Sequence, residues 1–197
     1  MSRQSFLSAV NERVIVFDGA FGTFVQDLDL GPDDFGGASL EGCNEYLCIT
    51  RPDVIRQMHS AFLDVGVDVL ETASFGSFST VLSEYNISDK AYELNVEAAR
   101  LARETANDYE SSGKARYVAG SIGPGTKLPS LGHIRFTELR DAYVEQARGL
   151  IVGGADLFLI ETCMDLLQIK AAMIACRRAM VAEGREIPIQ VQVTMET

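Results

Sequence analysis

Val14-Ile15-Val16-Phe17-Asp18-Gly19-Ala20-Phe21-Gly22-Thr23 decides how the rest of this chain is read. Four apolar residues run into an acid, and two glycines and a threonine follow. A short unbroken apolar run bounded by glycine is expected to be a strand buried on both faces, as in parallel sheets. Asp18 then stands at the strand's C-terminal end, where parallel α/β folds place ligands. Gly19 and Gly22 let the backbone come close to a bound group. The same residues also fit a plain strand, a turn and an N-cap acid.

Working outward, Gln26 to Glu45 reads as a long surface loop rich in Gly, Asp and Pro. Thr50 is expected to cap a helix with Pro52 in its first turn, and His59 lies within that helix as a packed or surface residue. Gly66 stops it. Val67 to Leu70 form a second strand that ends in Glu71-Thr72, followed by the polar loop Ala73 to Ser77. Ser88 is expected to cap a long helix with a solvated charged face. Tyr117 to Ile122 is the third strand, Thr137 to about Val152 a helix, and Gly153-Gly154 its break. Asp156 to Ile160 is a fourth strand ending in Glu161-Thr162. Asp165 caps the next helix, with Gln168 completing a capping box. Gly184 ends that helix, and Ile189 to Thr194 is the fifth strand.

Strands alternating with helices call for a parallel sheet with right-handed crossovers. Gly66-Val67-Asp68 leading to Glu71-Thr72 is echoed by Gly154-Ala155-Asp156 leading to Glu161-Thr162. Repeated βα units of this kind point to a (β/α) barrel with its site at the C-terminal strand ends. A doubly wound nucleotide fold is the rival. The first turn has neither a G-x-G-x-x-G fingerprint nor a Walker lysine.

Composition narrows the partners. The chain has 197 residues, 47% hydrophobic and 23% charged, enough for one domain with a real core. A net charge of −11 disfavours nucleic acid and anionic membranes as partners. No apolar run is long enough to span a bilayer, and the first ten residues lack a signal-peptide core and cleavage site, so a cytoplasmic location is expected. Cys43, Cys48, Cys163 and Cys176 are expected as free thiols, with no zinc-ligand spacing among them or with His59 and His133.

The polar residues at the strand ends are Asp18, Glu71, Thr72, Ser74, Ser121, Glu161, Thr162 and Cys163. Acids without paired bases suit a cationic group such as an amine, with Asp18 and Glu161 foremost. Backbone N–H groups at Gly19 and Ala20, with the Thr72 and Ser74 hydroxyls, suit a carboxylate. An amino acid satisfies both halves. Equally, these groups could cap helices and bond one another.

These residues belong to longer motifs: Asp18 to Thr23, Cys43-Asn44-Glu45-Tyr46-Leu47 with Thr50 to Ile55, Glu71 to Gly76, Ile122-Gly123-Pro124, Gly154-Ala155-Asp156 with Ile160-Glu161-Thr162, and Val193 to Thr197. Together and in this order they resemble the homocysteine S-methyltransferase domain family, in its branch of cobalamin-dependent methionine synthases. The resemblance implies a (β/α)8 TIM barrel, with residues 1–197 as its N-terminal portion and about five strands present. It implies L-homocysteine at the strand ends, the amino group near Asp18 and Glu161. The carboxylate would lie near Gly19, Ala20 and the Thr72-Ala73-Ser74 turn. It also implies methylcobalamin as methyl donor, carried by a cobalamin-binding domain or protein, and zinc that deprotonates the thiol at neutral pH.

The family's zinc ligands are three cysteines after the sixth and eighth strands, and none of the four cysteines here matches them. The expectation is therefore a chain that positions substrate, holds no metal of its own and does not turn over alone. A missing barrel segment or a second copy would cover its open edges. Two other readings stay open: a non-catalytic half-barrel used for binding or assembly, and a family member that takes its methyl group from betaine or S-methylmethionine.

Overall fold

A computed structural model describes residues 4–110 and 114–195. Its sheet has four named parallel strands: β1 (Val69–Glu71), β2 (Tyr117–Ile122), β3 (Leu157–Cys163) and β4 (Ile189–Val193). They lie side by side in chain order, β1-β2-β3-β4. Residues 14–17 run along the free side of β1, joined to it by a single parallel bridge, Phe17 to Val69. The order therefore advances in one direction through five positions. A doubly wound sheet reverses at a switch point; this one does not, and the barrel reading stands.

Helices α1 (Phe6–Glu12), α2 (Phe21–Gln26), α3 (Leu47–Thr50), α4 (Pro52–Asp64), α5 (Ser79–Leu82), α6 (Ala91–Tyr109), α7 (Phe136–Gly153) and α8 (Leu166–Glu183) fill the connections. Strand alternation splits the core in two. Leu70, Val118, Ile122, Phe158 and Ile160 face outward into the layer formed with α6, α7 and α8. Val69, Tyr117, Ala119, Leu157 and Leu159 face inward, where Phe6 of α1 meets Tyr117 and Phe17 edge-on. Residues 26–45 are more than a surface loop, because Phe35 is buried and packs with Val25, Leu47 and Ile55 in a second cluster.

Several local expectations change. The first strand is not buried on both faces. Ile15 and Phe17 point inward, but Val14 and Val16 are 83% and 50% exposed. These residues lie at the free edge of the sheet, held to β1 by a single bridge. Thr50 caps nothing; it ends α3 and its hydroxyl donates to Tyr46 O, while Arg51 takes the N-cap position ahead of Pro52. Ser88 lies in a 3-10 turn before α6 and donates to Ser79 O. Asp165 does cap α8, accepting from the N–H groups of Leu167 and Gln168. Gln168 reaches across to Pro124 O instead of back to the cap, so there is no capping box. The Val193 to Thr197 motif is described only to Met195; Glu196 and Thr197 lie outside the described residues.

The Asp68 and Asp156 echo has a physical basis. Each stands at the start of its strand and accepts a backbone N–H from the strand before it, Val16 N at 3.0 Å and Val118 N at 2.9 Å. Asp68 is 1% exposed. Burial pushes its carboxyl up, but Arg13, Lys114 and the Val16 N–H outweigh burial and hold it well below the usual range. These aspartates tie neighbouring strands together at the N-terminal rim and leave the opposite rim free for a ligand.

Candidate active site

Period-two alternation carries the inward face of each strand to the C-terminal rim. Beyond Val69 comes Glu71, beyond Ala119 comes Ser121, and beyond Leu159 comes Glu161. Asp18 follows Phe17 directly. These four side chains line a cavity of about 290 Å³ with Gly19, Ala20 and Thr72. Phe21, Gly22, Asn44, Glu45, Met58 and Phe75 form the rest of its wall. No Lys, Arg or His lines it among the described residues.

Its electrostatics are those of crowded, desolvated acids. Burial pushes the Asp18 carboxyl up to about 8; the Glu71 N–H, donating to Asp18 Oδ1 at 2.9 Å, opposes the rise and the charge of Glu161 adds to it. Burial, then Glu161 and Asp18, push Glu71 up to about 8 as well. Glu161 is raised by burial and pulled back by Ser121, whose hydroxyl donates to Oε1 at 2.6 Å. Glu45 is also raised by burial, while its Oε1 accepts the Gly76 N–H at 2.8 Å. Such a cluster binds a cation well, because the incoming charge stabilises carboxylates that otherwise hold protons.

The backbone beside Glu161 is irregular. On β3, Ile160 pairs with Val191 and Cys163 with Val193, so β3 carries one extra residue there. This is a bulge, a feature that re-aims side chains at strand ends. Thr162, inside it, has φ +57°. For a β-branched residue the left-handed region costs about 1–2 kcal/mol. Thr162→Gly is therefore expected to raise unfolding stability by about 0.5–1 kcal/mol, part of the relief being lost to glycine's greater unfolded-state entropy. Urea denaturation checks this.

Of the residues expected at the site, Asp18, Gly19, Ala20, Thr72 and Glu161 line the cavity. Ala73 and Ser74 stand behind its wall, 1% and 0% exposed. The Thr72 and Ser74 hydroxyls bond each other at 2.6 Å, Ser74 donates on to Ser121 O, and Thr72 Oγ1 accepts the Ser121 N–H. Both hydroxyls are thus spent within the protein. Glu45 and Met58 were not anticipated there. Glu45 sits in the Cys43 to Leu47 motif, which was visible in the sequence; Met58 is a buried residue of α4.

The cysteines are all free and buried. Burial pushes the Cys43 and Cys163 thiols up to about 11 and about 12, and Cys48 and Cys176 higher still. Cys163 donates to Glu161 O rather than facing the cavity. No group of three His, Cys, Asp or Glu side chains is placed to hold a metal among the described residues. The described side chains therefore do not fit zinc.

The profile of the Homocysteine S-methyltransferase family matches residues 15–197. The chain belongs to this family. It is 49% identical over 191 residues to the methionine synthases of Mycobacterium tuberculosis and Mycobacterium leprae. That match takes in 97% of this chain but only 16% of each relative's length. Among solved structures it resembles the Escherichia coli homocysteine methyltransferase MmuM. The oxidised form gives a TM-score of 0.72 at 19% identity, covering 94% of this chain and 63% of MmuM. The metallated form gives 0.71 at 20% identity, covering 95% and 65%. At that identity the likeness concerns the fold, which is that of the TIM barrel. No helix among the described residues of this family member is long and apolar enough to cross a membrane.

Proposed function

We propose that this chain is the N-terminal portion of a homocysteine-binding barrel domain that presents L-homocysteine for methyl transfer to give methionine. The carrying observation is the cavity at the strand ends, walled by Asp18, Glu71 and Glu161 and free of basic side chains among the described residues. The substrate ammonium lies between Asp18 and Glu161, within reach of Glu71. Its carboxylate lies on the Gly19 and Ala20 backbone, beside Thr72, with Ala73 and Ser74 supporting that wall from behind. The methyl donor is methylcobalamin, as the sequence motifs imply, delivered by a cobalamin-binding domain or protein in the cytoplasm. The exposed side of residues 14–17 and the free edge of β4 receive the rest of the barrel or a second copy of the chain.

Calorimetric titration of L-homocysteine into the 197-residue chain, in metal-free buffer, tests the reading. Saturable binding is expected. With 4-mercaptobutyrate, which has the thiol and carboxylate but no amine, binding at least about 100-fold weaker is expected, since the ammonium makes charge-assisted hydrogen bonds worth about 1.5–3 kcal/mol. Equal affinity for the two, or no homocysteine binding by folded protein, would overturn it.

A further inference from the structure

Ser121 lies at the end of β2, 2% exposed, and every polar atom it carries is engaged. Its N–H donates to Thr72 Oγ1 at 3.0 Å, and its carbonyl accepts from Ser74 Oγ at 2.8 Å and from Gln146 Nε2 at 3.4 Å. Gln146, fully buried on α7, also donates to Ser74 O at 2.8 Å. The serine backbone is thus gripped from the end of β1 and from a helix behind the sheet. What remains is the hydroxyl, and its hydrogen goes to Glu161 Oε1 at 2.6 Å.

We propose that Ser121 is the positioning residue of the cavity, its hydroxyl holding Glu161 in the orientation that receives the substrate ammonium. This rests on the amine-binding reading given above. A hydroxyl with its oxygen fixed by β2 donates along a narrow range of directions, so it selects one placement of the carboxylate. Donation also favours the ionised form. That matters because the groups facing Glu161 are acids: Asp18 before α2, Glu71 at the end of β1 and Glu45 in the 44–46 turn line the same cavity, and Cys163 is bonded to the Glu161 carbonyl. Ser121 is the donor from a neighbouring strand that answers this crowding. Strand alternation beyond Leu159 brings Glu161 to the rim; Ser121 fixes where its oxygen points.

The test follows the Glu161 carboxyl by carbon-13 NMR titration of the ligand-free chain, the resonance being assigned by its loss in Glu161→Gln. In Ser121→Ala the midpoint is expected to rise by about one pH unit, the equivalent of one charge-assisted hydrogen bond. Ser121→Thr keeps the hydroxyl and is expected to bring the midpoint back toward the wild-type value. L-Homocysteine affinity at pH 7 is expected to fall about tenfold in Ser121→Ala and to recover in Ser121→Thr. An unmoved midpoint in folded Ser121→Ala overturns the proposal, as does a moved midpoint with unchanged affinity. Failure of the wild-type chain to bind homocysteine, with the midpoint shift present, instead overturns the amine-binding reading and the ligand role of Ser121 with it, while its hold on Glu161 stands.

Discussion

Glu161→Gln is expected to weaken L-homocysteine binding about 100-fold, with Asp18→Asn close behind. Each change keeps the shape of the side chain and removes a full charge from a cavity with no other counter-charge for an ammonium group than its acids. A charge-assisted hydrogen bond in such surroundings contributes about 1.5–3 kcal/mol, and each 1.4 kcal/mol is a factor of ten. Calorimetry on the two variants, with circular dichroism to confirm folding, is the measurement; affinities within threefold of wild type would sink the assignment.

The same carboxylates set a pH dependence. Asp18 and Glu71 are raised to about 8 in the folded chain, against an unfolded carboxylate value of about 4. The folded state therefore holds protons that the unfolded chain would release. This contribution to stability is fully present below about pH 4 and is lost as pH rises through about 8. An ammonium ligand reverses the balance, because it favours the ionised forms. Homocysteine binding is expected to expel protons at pH 7, so its calorimetric enthalpy should differ between phosphate and Tris by the buffers' heats of ionisation. Affinity is expected to fall as pH is lowered from 8 to 6.

What could be read from the sequence was whatever a strand's own period carries. Asp18, Glu71 and Glu161 each follow an apolar run, and the period of two places an acid at the inner rim once the sheet is parallel. What could not be read depends on approach from far along the chain. Glu45 reaches the cavity from a turn docked on the Gly76 N–H, and Met58 from one face of α4. Neither position differs by residue type from an ordinary loop acid or core methionine. The Thr72 and Ser74 hydroxyls looked free for a ligand because Ser121, whose N–H and carbonyl engage them, lies more than forty residues away. Local cap rules failed at Thr50 and Ser88 for a related reason: a nearby carbonyl, Tyr46 O or Ser79 O, took the hydroxyl instead.

Gly153→Ala is expected to cost about 3 kcal/mol of unfolding stability, the largest loss foreseen from adding one carbon. A Cβ at Gly153 would stand 2.4 Å from Val96 O and 2.6 Å from Ala99 Cβ, and one at Gly149 would stand 2.7 Å from Tyr92 O. The atoms met are largely α6 backbone, which cannot swing aside as a side chain can, so the helices themselves must part. In urea the midpoint should drop while the slope stays constant. Gly31→Ala, where an added Cβ meets nothing within 4 Å, is expected to change stability by less than about 0.5 kcal/mol. The effect is not confined to packing. Gln146 lies two turns before Gly153 on α7, and it is the close seating of α7 that lets its amide reach the carbonyls of Ser74 and Ser121. Two glycines on a helix behind the sheet thus fix how near Gln146 comes to β2, Gln146 fixes Ser121, and Ser121 fixes Glu161. Gly153→Ala should therefore weaken homocysteine binding even under conditions where the chain remains folded; an unchanged affinity would break that chain at its first link.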